Sequence, residues 1–128
     1  MSQASVLVVD DDPVVVARAR AVLGAEGYAV TDVRCGRHGL ERIAVCPPDL
    51  VVTAILMPDG DGIELICAVK RERPGLPVVA VSDRRLLRGL DLLRLASQLG
   101  ADVVLEQPVG DDVLVATVAR LIQARRAA

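Results

Sequence analysis

The chain has 128 residues, 52% of them hydrophobic and 25% charged, with 15 Lys and Arg against 17 Asp and Glu. This is one domain's length, too apolar and too weakly charged for disorder, and nothing in the balance demands a nucleic-acid or membrane partner. Tyr28 is the only aromatic. That excludes functions built on base stacking and leaves Val, Leu, Ile and Ala to form the core.

Val6–Val9 is a short β-branched run that stops at Asp10-Asp11-Asp12, as a buried strand followed by a turn would. Asp12-Pro13 reads as an N-cap and a first helical residue, opening a helix that stops near Gly24 to Gly27. Tyr28–Val33 is the next strand. Gly36–Val45 is helical until Cys46-Pro47-Pro48 breaks it. Leu50–Leu56 is a second continuous apolar run, and Pro58-Asp59-Gly60-Asp61-Gly62 is a loop. Ile63–Arg73 predicts a helix with Ile63, Ile66 and Val69 on one face, ended by Pro74-Gly75. Pro77–Val81 is a buried strand. Arg85–Leu99 predicts a Leu-rich helix, with Leu86, Leu90 and Leu93 on one face and Leu92, Leu95 and Leu99 toward another. Val103–Leu105 is a short strand, and Asp111 is the expected cap of a last helix carrying Leu114, Val115, Val118, Leu121 and Ile122 on one side.

Five strands thus alternate with five helices. Continuous apolar strands have both faces covered, which implies an α/β fold: a doubly wound parallel sheet with right-handed crossovers. A single domain over residues 1–128 is expected, with no output domain attached. No apolar run nears the ~18 residues of a membrane span, and the polar start is not a signal peptide. Cys35, Cys46 and Cys67 are an odd count without metal-ligand spacing. They read as reduced packing residues of a cytoplasmic protein. His38, the only histidine, reads as a surface residue.

Ligands of open α/β sheets bind outside the carboxyl ends of the strands. Here the first strand runs into three aspartates and not a glycine-rich loop. Carboxylates repel a phosphate and attract a hard cation, which excludes a dinucleotide site. The same residues also suit an ordinary capping turn.

A set of ordered motifs decides further. Val8-Val9-Asp10-Asp11-Asp12, Pro48-Asp49-Leu50-Val51-Val52 leading to Met57-Pro58 and Asp61-Gly62, Pro77–Ser82, Gly100-Ala101-Asp102 and Gln107-Pro108 together resemble the receiver domain of two-component response regulators, over about residues 4 to 124. The resemblance implies a flavodoxin-like (βα)5 fold with strand order 2-1-3-4-5. It implies an aspartate ending the third strand that accepts a phosphoryl group from a histidine kinase. It also implies an acidic pair for Mg²⁺, a hydroxyl ending the fourth strand, and a lysine after the fifth that binds the phosphoryl oxygens. Asp10 and Asp11 match the acidic pair, and Ser82 matches the hydroxyl. The X–Pro bond at Gln107-Pro108 is expected to be cis, which such bonds tolerate.

Three positions depart from the pattern. Ala54 stands where the phosphoacceptor belongs, and a methyl group is no nucleophile. Gln107 stands where the lysine belongs, and a neutral amide cannot offset phosphate charge as an ammonium does. Val104 stands at the switch aromatic of the fifth strand and lacks its swing between rotamers. Asp59 and Asp61 are weak substitutes for the acceptor, and Thr53 should face away from the site, since successive strand residues alternate. A unit charge pair about 4 Å apart at an effective dielectric of about 20 interacts by ~4 kcal/mol, roughly doubled for a divalent ion before desolvation. With one carboxylate of three missing, Mg²⁺ at Asp10 and Asp11 is expected to be weak at best, and no other cofactor is implied.

The expectation is a non-enzymatic, stand-alone signalling domain that acts by protein–protein contact without aspartyl phosphorylation. Its expected partner is a histidine kinase or another regulator. A homodimer through the face of the fourth helix, fifth strand and fifth helix is a further expectation. The alternative is an ordinary phospho-accepting receiver whose acceptor has been replaced by Ala54. A third reading, a small-ligand binder, requires an open cavity beside Ala54 and Ser82.

Overall fold

In the computed structural model, which describes residues 3–58 and 62–127, the elements follow in the order β1 (Ser5–Val9), α1 (Pro13–Ala25), β2 (Ala29–Val33), α2 (Gly36–Val45), β3 (Leu50–Ala54), α3 (Gly62–Glu72), β4 (Val78–Ser82), β5 (Leu86–Leu87), β6 (Leu90–Asp91), α4 (Leu92–Gln98), β7 (Val103–Glu106) and α5 (Asp111–Ala127). Five strands form one parallel sheet in the order β2-β1-β3-β4-β7. Counted along this sheet alone, that is the 2-1-3-4-5 order of the flavodoxin-like fold.

Strand alternation divides the apolar side chains between two cores. Val6, Val8, Leu50, Val52, Val79 and Val81 pack against Val16, Ala19 and Leu23 of α1 and Val118 and Ile122 of α5. Leu7, Val9, Val51, Val78 and Ala80 pack against Ile43 of α2, Leu65, Ile66 and Val69 of α3, and Leu92, Leu93 and Ala96 of α4. Tyr28, just before β2, packs at the amino end of the α1/α5 face.

Polar groups close on one another at the amino ends of the strands. Asp49 Oδ2 accepts from the Ser5 amide at 2.7 Å. Asp102 Oδ2 accepts from the Val78 amide at 2.8 Å and from Lys70 Nζ at 2.6 Å, and Lys70 also donates to the Leu76 carbonyl at 2.8 Å. Gly100, at φ +117, leaves room for this lysine; a Cβ there would stand 2.8 Å from Lys70 Cγ.

The segment expected as one helix over Arg85–Leu99 is corrected. Leu86 pairs antiparallel with Asp91 and Leu87 with Leu90, around a turn in which Arg88 (φ 50) and Gly89 (φ 81) are both left-handed. Two such residues make the tight turn whose twist suits a hairpin. The helix starts only after Asp91, whose side chain accepts from the Arg94 amide. Leu86 and Leu90 therefore share no helical face with Leu93, and are 59% and 48% exposed. Asp111 is likewise the first residue of α5 and not its cap; its carboxylate accepts from Arg18 Nε at 2.7 Å. On α5, Val118 and Ile122 are buried, with Thr117 beside them, while Leu114, Val115 and Leu121 are half-buried.

Asp12 caps α1, accepting from the Val14 amide at 2.9 Å, with Pro13 in the first turn. The three cysteines are free, Cys35 buried, Cys67 half-buried and Cys46 exposed. His38 is exposed. Among the described residues no helix is long and apolar enough to cross a membrane.

Candidate functional site

β1, β3 and β4 end side by side, so parallel pairing alone brings Asp10, Ala54 and Ser82 to one rim. The end of β3 is held by its backbone. The Ile55 amide donates to the Val81 carbonyl at 3.1 Å, and the Gly62 amide donates to the Ile55 carbonyl at 2.9 Å. A Cβ on Gly62 would overlap the carbonyl oxygen of Ala54, so only glycine lets α3 start this close. Asp59 and Asp61 lie outside the described residues.

Asp10 is only 7% exposed. Its Oδ1 accepts from the Asp12 amide at 2.9 Å. Among the described residues Oδ2 has no hydrogen-bond partner, and no Lys or Arg lies within salt-bridge distance of the carboxylate. Burial pushes its pKa above the usual carboxylate value, and the acids at Asp11, Asp12 and Asp83 add to the rise while the Asp12 amide opposes it. Asp11 is exposed.

Ser82 Oγ is engaged locally, donating to the Arg84 carbonyl at 2.7 Å and accepting from the Arg84 amide at 3.1 Å. The Gln107 amide donates to the Ser82 carbonyl at 2.8 Å, and the Gln107–Pro108 bond is cis. A small polar pocket of about 60 Å³ brings Asp10, Ala54, Ser82, Asp83 and Gln107 together. Thr53 is fully buried and lines no part of it. Val104 is half-buried on the opposite face, against the α2–α4 core.

The acidic pair does not by itself fit a divalent cation. Hard cations of this kind take six or more oxygens, from the protein, water and any bound phosphate. At the third position stands a methyl group. Among the described residues, no group of three or more His, Cys, Asp or Glu is placed to hold a metal ion.

A second and larger space opens from the same rim. Between α1 and α5, beneath Asp10 and Ala54, lies a cavity of about 370 Å³. Its floor is Val8, Val52 and Val81, and Arg18 and Asp111 stand at its sides. Sequence reasoning missed Asp83, Arg18 and Asp111 as residues of this region. Asp83 follows a strand's carboxyl end and was open to the same argument that singled out Asp10. Arg18 and Asp111 meet only through folding, 93 residues apart.

Residues 6–119 match the family described as the response regulator receiver domain. The transcriptional regulatory protein CseB of Streptomyces coelicolor is 31% identical over 121 residues, covering 94% of this chain and 50% of that protein. The nitrogen assimilation regulatory protein NtrX of Azorhizobium caulinodans is 31% identical over 123 residues, covering 94% of this chain and 26% of that protein. The chain thus spans half or less of the length of these two relatives. Among solved structures, a CheY-like response regulator receiver domain protein from Methanospirillum hungatei superposes with a TM-score of 0.90 at 25% identity, covering 98% of each chain.

Proposed function

The chain belongs to the response regulator receiver domain family, and from that premise we propose that it is a receiver module whose signalling does not pass through an aspartyl phosphate. One observation carries the reading. The side chain at the end of β3, beside Asp10 and Gln107, is the methyl of Ala54. An acyl phosphate needs a carboxylate nucleophile there. Gln107 in place of a lysine and Val104 in place of an aromatic point the same way.

In this reading residues 1–128 act as one receiver unit in the cytoplasm. Asp10 and Asp11 are the remnant of the acidic pair, and the Ser82 hydroxyl serves its own turn. Output is by contact with a protein of a two-component pathway, a histidine kinase or another regulator, and not with nucleic acid or membrane. The face of α4, β7 and α5 is the proposed dimer or output surface. Its support is that β7 is an edge strand and that Val113 of α5 is 49% exposed.

The second reading is an ordinary phospho-accepting receiver in which Ala54 replaces the acceptor. The relatives named as regulatory proteins, matched over nearly the whole chain, favour it. Intact mass spectrometry after incubation with acetyl phosphate and Mg²⁺ separates the two. The chain as it stands is expected to gain no phosphoryl group, and a stoichiometric gain overturns the main reading. Recovery of phosphorylation by Ala54→Asp supports the second reading. An Ala54→Asp, Gln107→Lys variant that stays inert removes it.

A further inference from the structure

The space between α1 and α5 is a cleft of about 370 Å³, open to solvent at its rim. It falls within the size range of small-molecule sites. It exists because the side chains around it are short. Ala19 and Val15 line it from α1, Ala54 from β3, and Val109 from the loop before α5. The one aromatic that packs on this face, Tyr28, lies at the other end of the sheet.

The polar groups at its rim are unbalanced. Arg18, the only cationic side chain lining it among the described residues, is committed to Asp111 at 2.7 Å. Asp10 is more than nine-tenths buried, lines the cavity, and holds Oδ2 without a hydrogen-bond partner among the described residues. Asp83 adds a second carboxylate with no ion-pair partner among the described residues. A carboxylate at the rim of a space with apolar walls is best met by a donor, most strongly by a charged one.

We propose that this cavity binds a small amphipathic molecule, its apolar body between α1 and α5 and its protonated amine on Asp10. The ligand enters beside Ala54, and its head group stands at the rim against Asp10. Binding there would join α1 and α5 to the ends of β1 and β3. This inference does not depend on phosphorylation being absent, since it rests on the cavity and on Asp10.

The test is an NMR titration of the full chain with 2-phenylethylamine, and in parallel with 2-phenylethanol and 3-phenylpropionate as neutral and anionic matches of similar size. The expected result is saturable shifts of the Val8, Val81 and Leu114 methyls, with the amine bound about tenfold more tightly than the alcohol and the carboxylate weakest. Asp10→Asn is expected to bring the amine and alcohol within about twofold of each other. Val15→Phe, which fills the cavity, is expected to abolish the shifts of both. No saturable shift with the amine, an equal or tighter affinity for the carboxylate, or an amine preference that survives Asp10→Asn overturns the proposal. Asp10→Asn is nearly isosteric and keeps the acceptor for the Asp12 amide, so the test stands even where Val15→Phe fails to fold.

Discussion

Asp102 and Asp10 are both acids at the ends of strands of the same sheet, and the protein treats them in opposite ways. Asp102, at the amino end of β7, accepts from a backbone amide and from a lysine that is itself held by a carbonyl. Asp10, at the carboxyl end of β1, accepts one amide, stands near other acids and, among the described residues, has no ion-pair partner. The sheet is the same and so is the residue type. One end uses its carboxylates to hold strands and loops together, and the other sets Asp10 at the rim of an open cleft. A carboxylate with a full set of partners serves stability even where it is exposed, as Asp102 is, whereas one with few partners beside a cleft is a candidate for binding.

The largest expected effect comes from breaking the satisfied end. Asp102→Ala leaves the buried Val78 amide without its side-chain acceptor and Lys70 with the Leu76 carbonyl alone. A loss of about 1–2 kcal/mol in urea denaturation is expected. A loss below about 0.5 kcal/mol would place Asp102 among ordinary surface acids.

The opposite sign is expected at the other end. The folded pKa of Asp10 is raised above its unfolded value, so its ionised form opposes folding. That cost is fully present above the raised pKa and disappears as pH falls through it toward the unfolded value. Asp10→Asn is therefore expected to be more stable than the parent at neutral pH, with the difference shrinking on acidification. Thermal melts of both proteins across the acidic range check this, and a variant less stable than the parent at neutral pH contradicts it.

The smallest effect is expected where the two halves meet at the surface. Arg18 and Asp111 join α1 to α5 at 2.7 Å, but their side chains are 61% and 50% exposed. Arg18→Ala is expected to change stability by no more than about 0.5 kcal/mol, with less effect still at high salt. A larger loss would mean that the pair holds the mouth of the cavity together.

How far these contrasts were legible in the sequence depends on their range. The central strands were plain, because Val6–Val9, Leu50–Ala54 and Val78–Val81 are runs that only a twice-covered strand explains. The hairpin before α4 was not. Leucines at 86, 90 and 93 fit helical spacing, and periodicity cannot see that Arg88 and Gly89 turn left-handed. Gly89 and the capping acid Asp91 were the available signals. Ala54 and Gln107 were visible as departures from a motif. The cavity was not, since it depends on how far apart α1 and α5 settle once short side chains meet. The local bonding of Ser82 to Arg84 was equally hidden, because a hydroxyl's partner depends on the course of the loop.

Gly62 carries a wider implication. The start of α3 presses on the carbonyl of residue 54, and the strand end is pinned through the amides of residues 55 and 62. Backbone contacts, and not the side chain at 54, set where that position sits. The scaffold and the reactive group are therefore separable parts. A lineage can exchange an acid for a methyl there, or restore it, without rebuilding the fold, so this rim stays open to new chemistry long after an old one has gone.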